Sequence, residues 1–87
     1  MSSTIRIQPH VRAVIDNDGA VLLDLKRGRY FSLNSMGVCV WRRLENGVTP
    51  AGIEGELARH YSDSQQVKQD VAVFIDSLRR AELINAI

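Results

Sequence analysis

Two periods divide the chain. From Val11 to Leu33 apolar side chains alternate with polar ones or run together, and from Asn34 onward they recur every third or fourth residue. Val11, Ala13 and Ile15 alternate with Arg12, Val14 and Asp16, which predicts a first full strand. Asn17-Asp18-Gly19 then supplies residues that tolerate positive φ in a hairpin turn. A second strand is predicted from Ala20 to Leu25, apolar on both faces until Asp24. Lys26-Arg27-Gly28 turns the chain again, and Arg29 to Leu33 returns as a third strand beside the second. Pro9 separates a short leading segment, TIRIQ, from this antiparallel meander.

Asn34 changes the period because its side chain can accept from the first free amides of a helix. Gly37, Val40, Trp41 and Leu44 follow at helical spacing, and Asn46-Gly47 is expected to end that helix with a left-handed cap. Thr49-Pro50 opens a second helix whose stripe is Ile53, Leu57, Ala58 and Tyr61, weakened by Gly52 and Gly55. Asp63 with Gln66 resembles a capping box for a third helix, which carries Val67, Val71, Phe74, Ile75 and Leu78 on one face. Arg79-Arg80 in its last turn suits the helix dipole, and Leu83 and Ile84 are expected to fold back onto the body. Strands followed by helices predict an α+β domain of winged helix-turn-helix type, a three-stranded antiparallel sheet followed by three helices.

Composition narrows the function. A chain of 87 residues makes one domain, with a hydrophobic fraction of 45% and a charged fraction of 24%. A net charge of +1 gives no broad basic field for nucleic acid or an acidic membrane. One cysteine, Cys39, allows no internal disulfide framework and suits a reducing compartment. No signal-peptide core and no run near the roughly 20 apolar residues of a membrane span is present, so a cytoplasmic protein is expected. His10 and His60 read as surface histidines without acid or thiol at ligand spacing, and Cys39 as a packed thiol without an activating base. Trp41 reads as a core anchor. The expectation is a protein without catalytic residues, metal or cofactor.

The third strand poses the functional question. Arg29, Phe31 and Leu33 face one way, Tyr30 and Ser32 the other, so both faces carry large apolar groups. If the second strand lies between its neighbours, the third has one free edge, and Arg29 is its only charge. Such an edge is either covered by the chain itself or open to an added peptide strand.

The order of these motifs resembles the PqqD-like family, the small proteins related to the pyrroloquinoline-quinone biosynthesis protein D and to the leader-recognition proteins of lasso-peptide pathways. The likeness runs over VLLDLKRGRYFSLNSMGVCVWRRLENGVT, a helix ending near HYS, and VKQDVAVFIDSLRRAELI, or about residues 11 to 84. It is carried by Leu23-Asp24, Gly28, Tyr30, Leu33-Asn34, Gly37, Trp41, Leu44, Gly47 and Thr49. Asp70-Val71, Phe74, Leu78 and Leu83-Ile84 carry it in the last third. The family commonly has glycine where this chain has Glu82, so the last turn is expected to close differently; the stretch from Trp41 to Gly47 is also unusually basic.

The resemblance implies a RiPP recognition element, which binds the leader of a ribosomally made, post-translationally modified peptide. In such proteins the leader adds antiparallel to the third strand and lies toward the third helix. Carried over, Arg29, Tyr30, Phe31, Ser32 and Leu33 supply the ladder. Tyr30 and Ser32, or Phe31 and Leu33, border the pockets, depending on which face meets the helix. Val67, Val71 and Phe74 form the apolar wall, and Asp70 pairs with a basic or amide group of the leader. The implied role is an adaptor, without chemistry of its own, that presents the leader to a leader peptidase and a macrocyclase in a lasso pathway. Delivery to a radical-SAM enzyme is the alternative within the family.

Two rivals come from outside it. A winged helix could bind DNA through Lys26, Arg27, Arg29, Arg42 and Arg43, although SQQVKQD at the start of the third helix is poor for phosphate. Two copies could also pair at the open edge, making the protein a monomer or an edge-to-edge homodimer.

Overall fold

The computed structural model describes residues 5–17 and 19–86. It contains β1 (Ile5–Ile7), β2 (Val11–Asp16), β3 (Gly19–Asp24), β4 (Arg29–Leu33), α1 (Ser35–Glu45), α2 (Pro50–Ala58), α3 (Ser64–Arg80) and β5 (Ile84–Ala86). The expected meander is β2-β3-β4, a three-stranded antiparallel sheet with β3 in the centre, and three helices follow it. Asp18 of the first turn lies outside the described residues. The second turn is tight, with Gly28 at φ +67 and its amide donating to the Asp24 carbonyl at 2.9 Å.

The helices begin as their caps dictate. Asn34 Oδ1 accepts from the Gly37 amide at 2.8 Å, and Thr49 Oγ1 from Gly52 at 3.1 Å. Asp63 Oδ1 accepts from the Gln66 amide at 3.0 Å, but Gln66 Nε2 reaches forward to Asp70 Oδ1 at 2.8 Å, so only half of a capping box forms. Gly47, at φ +79, closes α1 with a Schellman pair: its amide bonds Leu44 O, and the Val48 amide bonds Arg43 O.

One core joins the layers. Leu22 from the sheet, Val40, Trp41 and Leu44 from α1, Ile53 and Leu57 from α2, and Val67, Val71, Ile75 and Leu78 from α3 are all buried in it. Each fully buried aliphatic side chain contributes about 1.5–3 kcal/mol. Trp41 keeps its indole N–H satisfied by Glu45 Oε2 at 3.2 Å. Tyr61, expected on the stripe of the second helix, lies beyond α2 and is 45% exposed. The helix closes after Ala58 in a tighter turn, with the His60 amide bonding Leu57 O at 3.1 Å, which takes Tyr61 off its stripe.

The leading segment and the tail do more than flank the body. Ile5–Ile7 and Ile84–Ala86 pair antiparallel as a second, two-stranded sheet. This places Ile5, Leu83 and Ile84 in the core.

Candidate functional site

The site begins with one backbone bond. The Leu25 amide donates to His10 O at 2.9 Å, which sets the alternation of the β2–β3 ladder. Residues 21, 23 and 25 thus direct their main chain toward β2, and 20, 22 and 24 toward β4. In the β3–β4 register Asp24 opposes Arg29, Leu22 opposes Phe31 and Ala20 opposes Leu33. These three residues of β4 therefore pair inward, and Tyr30 and Ser32 turn their N–H and C=O groups to the open side. Among the described residues no strand pairs with that side.

Side chains alternate across the same strand. Phe31 and Leu33 are half-buried against the core, whereas Tyr30 is 71% exposed and Ser32 faces solvent. The face that meets the helix, left open by the sequence, is that of Phe31 and Leu33. A groove of about 280 Å³ runs between β4 and α3, lined by Phe31, Ser32, Leu33, Phe74, Ser77, Leu78, Ala81 and Leu83.

The expected wall is only partly there. Phe74 lines the groove, but Val67 and Val71 are buried in the core behind it. With successive residues about 100° apart, Val67, Val71, Ile75 and Leu78 form the centre of the apolar stripe of α3. Phe74 and Ala81 fall on its flank toward β4, and Asp70 falls on the same flank farther out, exposed to solvent. Leu78, Ala81 and Leu83 line the groove, and the two valines do not.

A cluster of charges lies beside the groove, tied to it through the carbonyl of Ala81. Asp24 is buried, and its carboxylate accepts from the Lys26 amide at 3.0 Å, the Arg27 amide at 3.1 Å and Arg29 Nη2 at 2.9 Å. Burial would raise its pKa. The bond from Arg29, the amides of Arg27 and Lys26 and the charge of His10 outweigh that cost and hold it down at about 2, below the usual 3.8. Arg29 also donates to Ala81 O at 2.9 Å and lies 5.3 Å from the centroid of the Phe31 ring. Arg27 pairs with both Asp24 and Glu82. The arginines of the turn, which could have served a DNA-binding wing, are thus engaged within the chain.

His10 departs from the surface reading: it is mostly buried, with Nε2 3.7 Å from Asp24 Oδ1 and no hydrogen-bond partner among the described residues. Cys39 is half-buried on α1. Among the described residues no group of three His, Cys, Asp or Glu could hold a metal ion, and no helix is long and apolar enough to cross a membrane.

Glu82 was expected to alter the last turn, and the structure corrects this. Its amide bonds Arg79 O and the Leu83 amide bonds Leu78 O, the same Schellman pair that closes α1. Glu82 takes the left-handed conformation itself, at φ +62, at a cost on the order of 1 kcal/mol.

An open edge beside an apolar groove, on this order of elements, invites comparison with known proteins. The family of coenzyme PQQ synthesis protein D (PqqD) matches residues 19–84. The chain belongs to the PqqD family. Two solved structures share the PqqD-family fold seen here. TbiB1 in complex with the TbiA(beta) leader peptide superposes with a TM-score of 0.83 at 33% identity, over 92% of this chain and 94% of that one. Lasso peptide synthetase B1 complexed with the leader peptide gives a TM-score of 0.83 at 27% identity, over 93% and 96%. Comparison of this PqqD-family chain with curated protein sequences gives no match.

Proposed function

We propose that this chain is a RiPP recognition element that binds the leader of a precursor peptide by strand addition to β4. The observation that carries this reading is the outward-facing main chain of Tyr30 and Ser32 beside the β4–α3 groove. It is supported by a fold shared with two proteins solved with a leader peptide. The added strand bonds to residues 30 and 32, and its alternate side chains enter the groove against Phe31, Leu33 and Phe74. Asp70, at the outer margin of that flank, takes a basic or amide group of the peptide. Val67 and Val71 support Phe74 from behind.

The bound leader is presented to separate enzymes of a lasso-peptide pathway, a leader peptidase and a macrocyclase, in the cytoplasm. The chain adds no chemistry of its own and acts as a single recognition unit over about residues 11–84. The family match favours one second reading, delivery of a precursor to a radical-SAM enzyme in the manner of the quinone-cofactor branch.

The test is a titration with leader peptides from candidate precursors, the TbiA(beta) leader among them, followed by amide shifts. Micromolar or tighter binding is expected, with shifts concentrated on residues 29–33 and the α3 flank. Shifts centred on β2 or on α1 would overturn the assignment. Light scattering with and without peptide separates this reading from an edge-to-edge homodimer, which the peptide would dissociate.

A further inference from the structure

The ends of α1 and α3 use the same cap with different residues in the left-handed position. Gly47 adopts φ +79 freely, whereas Glu82 adopts φ +62 against its own Cβ. A glycine at 82 would close the turn with less strain, but it would lack the side-chain contact that the glutamate makes. Its carboxylate pairs with Arg27, which stands in the turn between β3 and β4. The Arg29 guanidinium makes a second link across the same gap, to the carbonyl of Ala81 beside it. The two links tie the β3–β4 turn and the first residue of β4 to the residues just after α3, and β4 and α3 are the two walls of the groove.

We propose that Glu82 is a positioning residue of the peptide site: through Arg27 it sets the separation of β4 from α3, and so the width of the groove. This rests on the reading of that groove as the leader site. The ion pair is partly exposed, with the Arg27 side chain at 32% and Glu82 at 64%, so it acts by holding a geometry more than by adding stability. The strain at Glu82 and the pairing of its side chain oppose each other, which makes the two separable by experiment.

Glu82→Gly relieves the backbone and removes the link. The variant is expected to melt at the same temperature as the parent or higher, while its affinity for the tightest-binding leader peptide falls about threefold. NOEs across the groove, from Phe31 to the α3 flank, weaken in the peptide-free variant. Arg27→Ala, which also removes the contact with Asp24, is expected to lose at least as much affinity, and the double variant no more than Arg27→Ala alone. A merely structural role would move stability and affinity in the same direction.

Unchanged peptide affinity in Glu82→Gly, or additive losses in the double variant, overturns the proposal while the leader-binding reading stands. Parent protein that binds none of the leader peptides overturns that reading and this proposal together; cross-groove NOEs that weaken nonetheless would then assign the link to the fold alone.

Discussion

Each edge of the sheet carries one arginine, and the two arginines go different ways. On β2, the main chain of Val11 faces outward, yet its amide bonds Gln8 O at 3.1 Å and its carbonyl accepts from Arg12 Nη1 at 3.0 Å. Arg12 folds over its own strand and also bonds Pro9 O, as charged residues on blunted edges do. On β4, the one charge is drawn off the edge: Arg29 turns toward Asp24 and Ala81. An arginine blunts an edge only when its guanidinium stays there. Removing outward amides in turn breaks the comparison most directly. Ser32→Pro deletes an outward N–H without costing a sheet bond, and is expected to weaken leader binding roughly a hundredfold, about 3 kcal/mol, with the fold intact. Ala13→Pro, at an outward amide of β2, should leave affinity within about twofold. Phe31→Pro removes an inward bond to Leu22 and should unfold the sheet. Calorimetric titration with circular dichroism checks all three, and equal tolerance at 32 and 13 would count against strand addition.

The edges also differ in what lies beside them, because α3 gives β4 an apolar wall. Phe74→Asp puts a charge without a partner into that wall, costing roughly 2 kcal/mol or more and over tenfold in affinity. Phe74 is half-buried, so the domain should survive the change, and a far-ultraviolet spectrum matching the parent would show it.

Much of this arrangement was legible beforehand, for reasons that can be named. The meander followed from period-two alternation and two turns, and the helices from Asn34, Thr49-Pro50 and Asp63, because these are local signals. β1 and β5 are three residues each and lie at opposite ends of the chain, so their pairing left no local trace. The resemblance assigns Val67 and Val71 to the wall, and the stripe cannot refine this, because it shows which residues share a face of α3 but not where its centre points. Counting from Ile75 and Leu78 would have set Phe74 at the margin. His10 and Asp24 meet through the β2–β3 register, a long-range fact that an isolated histidine cannot signal. Glu82 looked like a departure in backbone shape and proved to be one only in side chain.

The β4 edge depends on a buried carboxylate in a way that can be titrated. Asp24 has a folded pKa of about 2 against an ordinary 3.8, so its stabilisation is complete above 3.8 and is lost as pH falls through about 2. Other carboxylates titrate in that range, so the difference between parent and Asp24→Asn carries the information. The parent should lose stability between pH 3.8 and 2 more steeply than the variant, and the variant should be the less stable at neutral pH. Thermal melts across that window check it; parallel curves would mean that Asp24 does not hold the β3–β4 turn.

The smallest expected effect concerns Asp70, which lies outside the lining of the groove. Asp70 is exposed on the Phe74 flank and already accepts from Gln66 Nε2 at 2.8 Å, so a leader group must share it or displace the amide. An exposed charge-assisted bond of this kind contributes a few tenths of a kcal/mol. Asp70→Asn should therefore weaken binding about twofold, and the difference from the parent should shrink as salt is raised toward roughly 1 M. Gln66→Ala frees the carboxylate and should strengthen binding slightly if Asp70 touches the peptide. No response to either substitution would make Asp70 a residue that serves the α3 terminus alone, and would leave recognition to the β4 backbone and the apolar groove.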